Sequence, residues 1–235
     1  MSALRLRSGQ ALPLRSGQAR GFSFIELVVS MAIMLAVASS MFGFVQSARY
    51  VFEIDLERAD MQQRARVATD ALVRDLIMAG AGLQIPAIAP FRRGDINPDP
   101  PGSAFADRIS IQYVPTDATA GEAVTFTYAL GADALGVPQL TRYDGQTTDL
   151  PVVDQIAGLR FEYFDAAGQP IPSARFTDGP WVPDAVTADR FDADLQAIRR
   201  VRVLVRVRPA RTFAGVPLAD LEAAIDVSPR NLNLQ

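Results

Sequence analysis

Residues 19–40 read ARGFSFIELVVSMAIMLAVASS, and the glutamate at position 26 decides how the rest of the chain is read. From Leu27 to Ala48 the only strongly polar side chain is Gln46, and no further charge occurs until Arg49. That is about the ~20 residues a helix needs to cross a hydrocarbon core of ~30 Å. A carboxylate inside hydrocarbon costs on the order of a few kcal/mol, so Glu26 is expected to have a function and a partner.

Arg5, Arg7, Arg15 and Arg20 precede the apolar run with no acid among them. By the positive-inside rule they hold the N-terminus in the cytoplasm and send the body of the chain across the inner membrane. The leader is a near-duplication, LRSGQALP at 6–13 and LRSGQARG at 14–21, without apolar periodicity, and it is assigned no structure. Three readings of the apolar segment stand open on these features: a plain uncleaved anchor, a processed anchor, and a secretory signal cut after Ala36-Val37-Ala38, before Ser39. Against the last, apolar residues continue through Met41, Phe42, Phe44 and Val45, and a glutamate is an odd choice for the first turn of a disposable segment.

The stretch RGFSFIELVVSMAIMLAVA resembles the processing site of type IV prepilins and type II secretion pseudopilins: a basic leader ending in Gly, then Phe, three residues, Glu, and a long apolar helix. The resemblance implies that a prepilin peptidase cuts between Gly21 and Phe22 on the cytoplasmic side and N-methylates Phe22. It also implies assembly with other minor pilins or pseudopilins and a major pilin. The cut would create an α-ammonium four residues before Glu26, about 6 Å along a helix at ~1.5 Å per residue. In a filament core of low dielectric that ammonium can neutralise Glu26 of a neighbouring subunit and set the register of docking.

Composition removes many other functions. The chain of 235 residues has no Cys and no His, which excludes disulfides, thiolate and imidazole metal ligands, nucleophilic cysteine and every histidine acid or base. All 23 basic residues are Arg. Without the four in the leader, 19 arginines face 26 acids, a formal −7. An acidic body argues against general polyanion binding, so nucleic acid is not an expected partner. No cofactor is expected either.

Beyond Ala48 a helical period continues through Ile54, Met61, Ala65, Ala68, Leu72, Leu76 and Ala79, and Gly80, Gly82 and Pro86 should end it. Acid-first pairs such as Asp60 and Arg64 suit an exposed helix face. The chain divides into a leader (1–21), a membrane-spanning and filament-core helix (22–48), an amphipathic helix (49–79), a Pro/Gly-rich loop (80–106) and a β-rich head (107–235). Strand patterns occur at 107–114, 122–130, 138–145, 158–165 and 197–208. A Pro- and Asp-containing insertion at 166–195 holds the only Trp, Trp181, and reads as a lid or contact loop. The expected fold is α+β and pilin-like: a long N-terminal helix, membrane-spanning then amphipathic, packed on a C-terminal antiparallel β-sheet head. MQQRARVATDALVRDLIMAGAG, PVVDQIAGLRFEYFDAAGQPI and AIRRVRVLVRV further resemble PilW-type minor pilins and the related GspJ-type pseudopilins.

In RRVRVLVRVR, Val201, Val203, Val205 and Val207 share one face of a strand, while Arg200, Arg202, Arg206 and Arg208 share the other. This reads as a half-buried strand with a solvated face, or as an arginine ladder for an acidic partner or DNA. DINPDP at 95–100 spaces oxygen ligands like a calcium loop, but Pro100 and Ala106 stand where Gly and a bidentate acid are required, so a polar turn is the better reading. Asp189, Asp192 and Asp194 lack a companion group at recognisable spacing, so an enzyme is not expected. The functional expectation is a minor pilin or pseudopilin that primes or tips a type IV pilus or type II secretion pseudopilus. The rival expectations are a secreted or membrane-tethered module binding DNA or an acidic surface ligand through the arginine strand, and an envelope enzyme using carboxylates at 184–194.

Overall fold

A computed structural model describes residues 21–83, 86–90, 108–116, 122–145, 149–177, 179–183, 190–213 and 217–233. Helix α1 runs Phe24–Met78. It starts where Ser23 and Glu26 have capping-box spacing, with the Ser23 carbonyl accepting from the N–H groups of Glu26 (3.0 Å) and Leu27 (3.1 Å). A carboxylate in the first turn is favoured by the free N–H groups there.

By internal contacts the chain divides into Met1–Val51 and Phe52–Gln235. In the first unit every described side chain up to Arg49 is exposed, and the helix is long and apolar enough to cross a membrane by length and composition. The hydroxyls of Ser30 and Ser40 each donate to the carbonyl three residues back, at 2.8 Å. Those polar groups are thus satisfied within the helix, as hydrocarbon requires.

In the second unit α1 is amphipathic and buries Met61, Ala65, Ala68, Leu72 and Leu76 at the expected intervals. It ends at Met78, and Gly80 (φ 81°) and Gly82 (φ 70°) take the left-handed conformations that glycine adopts without strain. The Asn231 amide, from the far end of the chain, reaches the carbonyls of Ile77 (3.4 Å), Met78 (3.5 Å) and Ala79 (3.4 Å) at the end of the helix.

Two antiparallel sheets make up the head. The first is a meander of β1 (Ile88–Ala89), β2 (Arg108–Tyr113), β3 (Val124–Ala132), β4 (Pro138–Tyr143) and β5 (Leu150–Asp154), in that order. The second contains β6 (Ile156–Phe164), β7 (Pro170–Ile171), β10 (Arg200–Val207) and β11 (Leu221–Val227), in the order β11-β10-β6-β7. A ribbon of β8 (Trp181–Pro183) and β9 (Arg190–Asp192) lies in sequence between β7 and β10 of the second sheet. One core cluster joins the buried residues of α1 to Ile109, Ile111, Tyr128 and Leu140 of the first sheet and to Phe161, Val201, Val203, Val205 and Val207 of the second. The fold is therefore α+β, an N-terminal helix followed by antiparallel sheets.

The five expected strands form, each shifted by a few residues at its ends. Six further strands, β1, β5, β7, β8, β9 and β11, were not expected from the sequence, and β1 falls within the stretch 80–106 read as a loop. LEAAIDV in β11 is rich in Ala and acids, which favour strands poorly, and it becomes one by pairing with β10 over all seven residues. The 166–195 insertion is partly core: Phe176 and Phe191 are buried, while Trp181 on β8 is half-exposed.

Tyr163 on β6 is buried edge-on against Phe176, with ring centroids 5.4 Å apart. Its hydroxyl has no hydrogen-bond partner among the described residues, and burial pushes its pKa up. An unpaired buried hydroxyl forfeits its hydration, so Tyr163→Phe is expected to stabilise the head by about 1 kcal/mol. A higher urea midpoint at unchanged m-value checks this.

Candidate functional site

Four groups of residues are candidates, and the first lies at the start of α1. An ideal Cβ placed on Gly21 would meet nothing within 4 Å, so packing within the chain does not require glycine there. The Phe22 side chain is 78% exposed, and Glu26 stands exposed in the first turn of α1 with no ion pair to any described residue. Around them Phe24, Ile25, Leu27 and Val28 also face outward. These residues have no structural task inside the chain beyond starting the helix.

The second is the arginine strand. Val201, Val203, Val205 and Val207 of β10 are buried, which turns Arg200, Arg202 and Arg206 to the outer face. Register places Arg202 between Asp226 of β11 and Glu162 of β6. Its guanidinium donates to both Asp226 oxygens, at 2.8 and 3.1 Å, and lies 3.9 Å from Glu162. That bidentate bond from Arg202 holds the Asp226 carboxyl below the usual carboxylate range. Arg206 meets Asp220 at 3.6 Å and donates to the Ala157 carbonyl at 3.3 Å. Arg200 lies 3.8 Å from Asp226 and stacks over Phe164, 4.2 Å from the ring centroid. Arg208 lies just past β10, and its backbone N–H donates to the Gln155 carbonyl at 2.8 Å. The arginines thus belong to a lattice of matched charges rather than to a bare cationic row.

Sequence reasoning missed the third group, two acids on the buried stripe of α1. Asp75 follows Leu72 by three residues and is buried. Its carboxylate accepts from the Tyr128 hydroxyl of β3 at 2.8 Å, from Arg142 Nε of β4 at 3.0 Å and from the Tyr113 hydroxyl of β2 at 3.5 Å. Arg142 also stacks on Phe126, 3.5 Å from the ring centroid. Burial, and then the Asp75 charge, push the Tyr128 pKa well above its ordinary value. Burial alone would lower Arg142, but Asp75 and Tyr128 outweigh it and favour the charged guanidinium. Glu57, also buried, accepts from the Ala210 N–H at 2.6 Å, just after β10. Both acids brace α1 against the sheets. The one available signal was their place at 57 and 75 on the 61-65-68-72-76 stripe.

The carboxylates of the fourth group hold up a loop. Asp192 is fully buried and accepts from the N–H of Asp194 (2.8 Å) and of Gly179 (3.0 Å), which caps the turn Ala193–Ala197. Asp194 is bonded to Arg175 at 2.6 and 3.2 Å. Asp189 and the 95–100 stretch lie outside the described residues. Among the described residues no group of three acids is placed to hold a metal ion.

Residues 17–42 match the family described as the prokaryotic N-terminal methylation motif. No curated protein matches the chain. The matched segment takes in Gly21, Phe22, Glu26 and the first turns of α1. Families carrying this motif are structural rather than enzymatic, and the motif implies processing by prepilin peptidase and assembly with other pilins. The chain carries a type IV prepilin-like methylation motif at the head of an exposed apolar helix that points to membrane anchoring.

Proposed function

We propose that this protein is a minor pilin or pseudopilin: a subunit held in the inner membrane with its head in the periplasm, cut between Gly21 and Phe22, N-methylated at Phe22, and drawn into a type IV pilus or type II secretion pseudopilus. The observation that carries the reading is the motif at 17–42, leading into a helix whose apolar side chains are left uncovered by the chain's own fold. A fully apolar surface is stable only in lipid or against other helices, and a filament core supplies the second.

In this reading the leader is 1–21, the membrane and filament-core helix 22–48, the amphipathic helix 49–79, the connecting loop 80–106 and the head 107–235. Glu26 works twice. In the membrane it lies near the headgroup boundary at the helix start, where a carboxylate is tolerated. In the filament it meets the Phe22 ammonium of a neighbouring subunit, and neutralisation in a dry core favours one axial register over others. The broad two-sheet head suits a priming or tip position, where it need not repeat at the spacing of a shaft. Head contacts would choose the neighbouring subunits.

N-terminal mass spectrometry of the protein from host membranes tests this. The expected mature chain begins with N-methylated Phe22, and Gly21→Asp is expected to leave the leader attached. Glu26→Ala is expected to be processed normally but lost from sheared filaments. A chain beginning near Ser39 would instead establish ordinary secretion and remove the filament reading.

A further inference from the structure

The two sheets present four edges, and three are poorly suited to further pairing. β1 and β7 are two residues long. β5 contains Pro151 and a register break opposite Leu140 and Thr141. Proline and irregularity are ordinary ways of closing an edge. β11 differs on each count: seven residues long, free of proline, and paired with β10 without a break. Among the described residues, no strand pairs with its other side. Leu221, Ala223 and Ile225 lie against the core but are only half covered, while Glu222, Ala224 and Asp226 are exposed.

We propose that the free side of β11 is a docking edge that accepts an extended segment of another protein subunit as an added strand, and that this segment alternates basic and apolar residues. The backbone supplies unpaired N–H and C=O groups along a regular strand. The half-covered apolar rim would be sealed by apolar side chains on one face of the incoming segment. On the other face Glu222 is exposed with no ion pair to any described residue, between Asp220 and Asp226, which Arg206 and Arg202 already hold from β10 but which stay partly exposed, so a basic residue set opposite Glu222 supplies the match. β10, already paired on the inner side, has this pattern, with Arg202 and Arg206 opposite Asp226 and Glu222. A second β11 is a poor occupant. Antiparallel pairing centred on Ala224 would set Glu222 against Asp226 of the other copy, and like charges directly opposite destabilise a sheet. The filament-subunit reading enters only as the source of the segment.

The test uses the full chain in detergent and a synthetic peptide, RRVRVLVRVR, the sequence of residues 199–208. The peptide is expected to bind and to slow amide exchange specifically at Leu221–Val227. Glu222→Arg is expected to weaken binding by about tenfold. A peptide with every Arg replaced by Glu is expected to prefer the Glu222→Arg chain, and that reciprocal rescue separates a docking role from damage to the fold. Absence of protection in β11, loss of both peptides from the variant, or protection arising from concentration-dependent self-association would each overturn the proposal. Normal Phe22 processing with no peptide binding would remove the edge and keep the filament reading. Peptide binding with a chain that starts near Ser39 would do the reverse.

Discussion

Asp75→Ala is expected to destabilise the head by about 3 kcal/mol, the low end of the range for breaking a buried ion pair, because Arg142 is left without its anion. The Arg142 side chain is 31% exposed and its guanidinium is stacked on Phe126, so it cannot simply swing into water without losing that contact. The Tyr128 hydroxyl, 1% exposed as a residue, loses its shortest partner as well. Three strands lose their polar tie to α1 in one substitution, and urea unfolding of the full chain in detergent measures the loss. If the cost arises from the orphaned charge rather than from the missing volume, the double variant Asp75→Leu with Arg142→Met recovers much of it. A double-mutant cycle then gives the coupling.

The same network sets an alkaline limit. The folded-state pKa of Tyr128 is raised from the ordinary 10.0, by burial first and by Asp75 second. A group whose folded pKa is raised contributes stability that is fully present below its unfolded pKa and is lost as pH rises beyond it. Stability is therefore expected to be level below about pH 9 and to fall above pH 10, as the unfolded chain gives up a proton the folded chain retains. Tyr163 adds to this limb in the same direction. Tyr128→Phe should flatten part of the decline while costing stability at neutral pH.

The second large effect is on solubility. A chain starting at Phe52 is expected to be monomeric in detergent-free buffer, whereas the full chain requires detergent. The buried core on α1 begins with Glu57 and Met61, and none of the described residues removed, 21–51, is part of it. They do carry Phe22, Phe24, Leu35, Met41, Phe42 and Phe44 in the open. The thermal midpoint of the head is expected to change by less than about 4 °C, equivalent to ~1–2 kcal/mol for a domain of this size. A shortened chain that aggregates or melts without cooperativity would mean that residues 22–51 are needed to complete the fold. Ranking this effect beside Asp75→Ala places the two tasks of α1 on different stretches of one helix, an exposed apolar one before Val51 and a buried, braced one after it.

Much of this was written locally. The methylation motif, the apolar run, the stripe from Met61 to Leu76, the helix stop near Gly80 and the Val/Arg alternation of β10 depend on residues within a few positions of one another, and their periods and spacings specify a helix or strand before any packing occurs. What Glu57, Asp75 and Asp226 do was not written locally. Asp75 meets Tyr128 across 53 positions, and Glu57 meets the Ala210 N–H across 153. A period can place such an acid on a face but cannot name what faces it. LEAAIDV was opaque for the same reason, since its strand conformation is imposed by β10 against weak local preference. The arginine ladder was legible as a strand face, yet only the register of β6, β10 and β11 could reveal that its charges are matched by Glu162, Asp220 and Asp226. By itself the sequence determined the methylation motif, the helix and five of the eleven strands among the described residues. The tertiary structure decided which buried acids brace them, which charges are already paired and which sheet edge is left open, because those depend on contacts between residues far apart in the chain.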